Sequence, residues 1–146
     1  MFISTRSQVS LHLKNLDRWT SEKHLKRTDF MTVGSPTTVV QVPYGCVFII
    51  GAWNFPVMLT LVPLISAVAA GNCCVVKPSE VAKHTSNLLS KLAEHYFTDG
   101  GIKFVEGGKE IVQGLMTNYR FDLVFYTGGN VAGREIAKLA AEKLTR

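Results

Sequence analysis

Three loops of this chain combine residue types that can do chemistry. In Gly51-Ala52-Trp53-Asn54-Phe55-Pro56, a glycine lets a ligand approach the backbone, and an Asn amide offers a donor to a developing oxyanion. The competing reading is that Asn54 caps the helix that follows, with Phe55 and Pro56 shaping its first turn. Taken alone, this loop favours capping. In Lys77-Pro78-Ser79-Glu80, a cation and a carboxylate can grip the two hydroxyls of a ribose, one donating and the other accepting. A solvated strand end, with Ser79 starting the next helix, competes evenly. Tyr126-Thr127-Gly128-Gly129-Asn130-Val131-Ala132-Gly133-Arg134 places paired glycines at a helix N-terminus, where free N–H groups and the helix dipole favour a phosphate. It has neither the Gly-x-Gly-x-x-Gly spacing nor the Lys-Ser/Thr of a P-loop. Gly133 can equally serve only to let a helix approach the sheet.

Other chemistries find no support. His12, His24, His84 and His95 have no metal-ligand spacing, and Cys73-Cys74 lacks a Cys-x-x-Cys partner. There is no Gly-x-Ser-x-Gly elbow. Cys46, Cys73 and Cys74 lie in apolar runs and read as inert core thiols; their odd number also argues against a disulfide scaffold. The net charge of +5 comes from sixteen basic residues interleaved with eleven acids. That mixture describes solvated faces, so no nucleic-acid partner is expected.

The elements that must position these loops follow from the hydrophobic periods. A helix is predicted over 8–28, with Val9, Leu13, Leu16 and Trp19 on one stripe, and a β-branched strand over 37–42. Cys46–Ile50 and Cys73–Lys77 are short apolar runs of the kind buried in parallel sheets. Helices are predicted at 57–70, 82–97, 109–116 and 130–144, and further strands at 102–105 and 122–126. Strand and helix alternate with short turns, which predicts an α/β doubly wound parallel sheet. Such sheets bind ligands at the carboxyl ends of their strands, so the loops at 51–56, 77–80, 105–108 and 127–129 are the ones to inspect. The 146 residues show no repeat or linker and read as one domain. With 47% hydrophobic residues, including eight Phe, intrinsic disorder is not expected. No charged residue occurs from Phe30 to Val76, but Gly51, Asn54, Pro56, Pro63 and Gly71 divide that stretch into strand- and helix-sized pieces. Buried core accounts for this better than a membrane span. The absence of an apolar leader points to the cytoplasm.

The run PYGCVFIIGAWNFPVMLTLVPLISAVAAGNCCVVKPSE resembles the cofactor domain of the aldehyde dehydrogenase superfamily, nearest its class 3 and fatty aldehyde branch. The likeness continues through Val105-Glu106-Gly107-Gly108 and Phe121–Gly128 to Thr145. It implies a Rossmann-like domain holding NAD or NADP, with Asn54 as oxyanion-hole amide and Trp53 in the cofactor wall. By the same resemblance, Lys77 and Glu80 bind the adenosine ribose, and Gly108, Gly128, Gly129 and Gly133 line the nucleotide's path. The family's usual residue at Gly129 is Ser, so a hydroxyl donor to the pyrophosphate is missing.

The resemblance also implies that residues 1–146 form a partial NAD(P)-binding domain with a helical lead-in over 1–36. The catalytic and oligomerisation domains, the general base and the nucleophilic Cys would then be absent. The expectation is an aldehyde dehydrogenase by descent that does not turn over an aldehyde substrate by itself and self-associates through uncovered apolar faces. The alternatives are a non-catalytic dinucleotide- or partner-binding module and, further off, a basic membrane-associated protein.

Overall fold

A computed structural model describes residues 2–25 and 36–146 of the chain. Helix α1 (Phe2–Thr20) comes first, then β1 (Lys23–His24) and β2 (Thr38–Val39), which pair antiparallel in a small ladder. The main body alternates β3 (Cys46–Ile50), α2 (Met58–Ala69), β4 (Cys73–Lys77), α3 (Lys83–Tyr96), β5 (Ile102–Phe104), α4 (Lys109–Asn118), β6 (Leu123–Tyr126) and α5 (Asn130–Glu142). A short 3-10 turn, Glu80–Ala82, leads into α3.

The sheet order is β5-β4-β3-β6, with every pairing parallel. The chain steps outward from β3 to β5, then returns to lay β6 on the far side of β3. The order therefore reverses between β3 and β6, and a crevice opens there at the carboxyl ends. This is the doubly wound α/β sheet expected from the alternating periods.

The two runs that read as buried strands are buried on both faces. Val47, Ile49, Cys74 and Val76 point to one side and pack with Leu64 of α2. Phe48 and Ile50 point to the other, against Val112 and Met116 of α4 and Phe121. Phe48 is fully buried and stacks on Phe121 with ring centroids 4.8 Å apart. Period-two alternation of apolar side chains thus feeds two cores at once, which is why these strands carry no polar face.

The elements before β3 depart from expectation. The helix predicted over 8–28 begins at Phe2 and ends at Thr20, and its last predicted residues, 26–28, lie outside the described residues. Its inner side is Thr5, Gln8, His12 and Leu16, whereas Leu13 is exposed. Polar anchoring replaces the apolar stripe: Ser66 Oγ of α2 lies 3.2 Å from His12 Nε2, and Gln8 O lies 2.8 Å from His12 Nδ1. The strand predicted over 37–42 shrinks to Thr38–Val39, because Val40 and Val42 remain in solvent with no sheet to cover them.

The cysteines divide rather than forming one class of core thiol. Cys74 is buried, and burial, helped by the neighbouring Cys46 and Cys73, pushes its thiol up to about 11. Burial also raises the half-buried Cys46, with Cys73 and Asp122 adding to the effect. Cys73 is exposed, so the core reading does not hold for it. Among the described residues no helix is long and apolar enough to cross a membrane, and no group of three His, Cys, Asp or Glu could hold a metal ion.

Candidate functional site

The carboxyl ends of β3, β4 and β6, with the first turns of α4 and α5, enclose a cleft of about 440 Å³. Backbone bonds hold its floor together. Gly51 N–H donates to Lys77 O at 2.9 Å, and Thr127 N–H donates to Ile50 O at 3.2 Å, so the three strand ends are tied to one another. Gly51 is required for this closeness, because a Cβ there would fall inside van der Waals contact with Oγ1 of the fully buried Thr60. A Gly51→Ala change is expected to cost about 1–3 kcal/mol through overpacking. A thermal melt measures it, and adding Thr60→Ala to the same variant should restore part of the loss.

Trp53 and Asn54 stand on the cleft's rim, both exposed. The N-cap of α2 is Val57, and no side chain caps that helix end. The capping alternative for Asn54 is therefore not realised, and its amide remains available to a ligand.

Lys77 is almost wholly buried, which rules out a solvated strand end. Its Nζ donates to the carboxylate of Glu80, whose own side chain is half exposed toward the cleft. Ser79 serves the helix as the alternative had it: its Oγ accepts from Val81 N–H at 3.4 Å, and Ser86 Oγ donates to Ser79 O at 2.6 Å. The two readings of this tetrapeptide thus divide among its residues.

Burial alone would raise the Glu80 carboxyl. The Lys77 hydrogen bond, Glu80's own backbone N–H and the Lys77 charge outweigh it and hold the group below the usual carboxylate range. A carboxyl lowered on folding contributes stability above its unfolded pKa of about 4.3, and that contribution is lost as pH falls through the folded value. Denaturation curves of the protein and of Glu80→Gln should accordingly converge below about pH 4. A gap between them that is independent of pH would contradict the pairing.

Of the glycines, Gly108, Gly128 and Gly129 line the cleft. Gly133 does not; it lies in an adjoining open depression with Asn130 and Arg134. A Cβ at Gly133 would sit 3.2 Å from Cε1 of Tyr126, so close helix–sheet approach accounts for this glycine. The Tyr126 ring also lies beneath Gly128, where a Cβ would collide with its hydroxyl, and Tyr126 Oη donates to Gly129 O at 3.1 Å. Gly129 is the N-cap of α5, and no side chain caps that helix. First-turn N–H groups of α5, beside Gly128 and Gly129 of the cleft, are therefore left without a side-chain cap, as an anion would need.

Charged groups that the sequence reading did not single out complete the rim. Lys109 of α4 and Glu135 of α5 both line the cleft and form an ion pair at 2.6 Å. Outside the cleft's lining, Glu110 folds back over Gly108, accepting its N–H at 3.0 Å. Beneath them Val112, Ala132 and Ile136 offer an apolar wall.

A parallel sheet with a cleft at its switch point, flanked by glycine turns and an uncapped helix, defines a doubly wound α/β domain. The chain belongs to the aldehyde dehydrogenase family, whose sequence model matches residues 4–146. It is 43% identical over 133 residues to an aldehyde dehydrogenase of Craterostigma plantagineum, covering 91% of this chain and 27% of that protein. To aldehyde dehydrogenase family 3 member B2 of Mus musculus it is 37% identical over 143 residues, covering 98% of this chain and 29% of that protein. Among solved structures, the substrate-bound state of Staphylococcus aureus AldH superposes with a TM-score of 0.92 at 33% identity, over 97% of this chain and 30% of that one. A Mycobacterium tuberculosis aldehyde dehydrogenase complexed with NAD+ gives 0.81 at 30% identity, over 97% and 28%. The chain thus spans under a third of the length of these relatives.

Proposed function

We propose that this chain is the nicotinamide-dinucleotide-binding portion of an aldehyde dehydrogenase and binds NAD or NADP in the cleft at its switch point. The observation that carries this is the Lys77–Glu80 pair, a buried cation and a half-exposed carboxylate at the end of β4. A vicinal diol fits that pair: Lys77 donates to one hydroxyl and Glu80 accepts from the other. The uncapped first turn of α5 fits a pyrophosphate, and Gly128 and Gly129 leave room for it. The apolar wall of Val112, Ala132 and Ile136 fits a flat base.

When bound, the nicotinamide accepts a hydride. The chain's own part is to place it. Trp53 walls the nicotinamide end, and the Asn54 amide donates to an aldehyde-derived oxygen as negative charge builds there. Among the described residues no Cys lines the cleft, so the chain presents no thiol there to form a covalent adduct. We therefore expect binding without turnover from this stretch alone, its domain role being cofactor capture.

Calorimetric titration with NAD and NADP tests the reading, beside an assay for aldehyde-dependent reduction of the nicotinamide. Saturable binding with no reduction is the expected result. A folded chain that binds neither dinucleotide overturns it.

A further inference from the structure

Cys46 and Cys73 stand side by side at the amino end of the sheet. Each opens its strand, and the two are direct partners in the parallel ladder of β3 and β4. Side chains of partnered residues leave a sheet on the same face, and adjacent strands run about 4.8 Å apart. Cys46 and Val75 both pack against the cluster around Phe48, and alternation along β4 puts Cys73 on the Val75 side. The strand separation lies within the Cα span of about 4.4–6.8 Å that disulfides bridge. Both backbones are also tied down. Cys73 N–H donates to Gly45 O at 2.9 Å, and Cys46 N–H donates to Asp122 Oδ2 at 2.8 Å.

The third thiol is set apart from this pair. Cys74 belongs to the opposite core with Val47 and Ile49 and is 2% exposed. Exposure then orders the other two: Cys73 is exposed and Cys46 is half-buried. An oxidant arriving from solvent meets Cys73 first, and Cys46 is the only other thiol on that face. We propose that Cys46 and Cys73 form a redox modification site, which a hydroperoxide closes into a disulfide between β3 and β4. The cleft lies at the other end of these strands, and the proposal does not rest on its dinucleotide reading.

The chemistry needs only the two thiols and the peroxide. Cys73 Sγ attacks the peroxide, the O–O bond breaks, and a sulfenic acid and one water result from hydrogen peroxide. Cys46 Sγ then attacks the Cys73 sulfur, the S–S bond forms, and the S–O bond breaks. The departing hydroxide takes the Cys46 proton and leaves as a second water. Two thiols are oxidised, and the peroxide is reduced to two waters. Burial raises the Cys46 thiol, with Cys73 and Asp122 adding to the effect, so Cys46 waits with its proton in place. Neighbouring Cβ atoms about 4.8 Å apart stand wider than the roughly 3.5–4.5 Å of a relaxed bridge, so the bond reduces readily.

The test treats the folded full chain with hydrogen peroxide, denatures it, counts free thiols and maps the unreduced digest by mass spectrometry. Thiols should fall from three to one, with the peptides bearing Cys46 and Cys73 joined and the mass lower by two hydrogens. Dithiothreitol should restore all three. Cys73→Ser, at an exposed position, should keep the circular dichroism of the parent and form no bond within the chain. Cys46→Ser should leave Cys73 as a sulfenic acid that dimedone traps. A bond within the chain that persists in Cys73→Ser overturns the proposal. So does a parent chain in which Cys73 passes to the sulfinic acid while Cys46 stays free.

Discussion

A Lys77→Met variant is expected to stay folded and to lose dinucleotide affinity by roughly ten- to a hundred-fold. The affinity loss follows from the chemistry of the pair. Lys77 is the charged donor to the ribose, and a hydrogen bond from a charged group contributes about 1.5–3 kcal/mol. Removing it also frees Glu80, which must then be desolvated by the diol without a cation beside it. The preserved fold follows from burial. The Lys77 side chain is 4% exposed, so its stem packs like a hydrophobe, and methionine replaces that volume without a charge. Glu80 is 51% exposed, so losing its partner leaves it hydrated rather than stranded. Calorimetry and a urea curve on the same preparation read the two effects separately. An unchanged Kd in a folded variant would remove the ribose assignment altogether.

The same residue shows how far the sequence carries. Lys77 is the first charge after a long uncharged stretch and stands three residues before a Glu, so its pairing is local and legible from spacing. The central strands are legible for a related reason. Runs such as CVFII have no polar position to offer solvent, so only burial on both faces suits them. Asn54 was ambiguous because an amide before a helix can cap or can point outward, and only the backbone decides. Here the helix begins at Met58 and leaves Asn54 outside its cap. The stripe on α1 misled because helix packing is settled by the partner's surface. His12 faces α2 and Thr5 is buried, whereas Leu13 is exposed. Lys109 and Glu135 gave no signal, since their meeting depends on how α4 and α5 pack together.

Phe48→Ala should be the most damaging single change in the chain, costing about 3–5 kcal/mol. Phe48 is fully buried at the middle of β3, between β4 and β6, and it stacks on Phe121. Truncation removes that aromatic contact and leaves a cavity walled by Val112, Met116 and Ile50, which strand and helix backbones keep from collapsing. A domain of this size is stable by about 5–15 kcal/mol, so the variant lies near the edge of folding. With a urea slope of about 1–3 kcal/mol per molar, its midpoint should fall by about 2 M. The consequence reaches the site, because β3 ends in Ile50 and Gly51, which tie to Thr127 and Lys77. A ligand that binds only the folded chain adds about 2.7 kcal/mol at a hundred times its Kd, so NAD should restore much of the lost midpoint. In the Phe48→Ala, Lys77→Met double variant the same NAD concentration should add only about 0.4–1.4 kcal/mol, half of that rescue or less. Equal rescue in both would mean that the dinucleotide stabilises the fold from somewhere other than the end of β4.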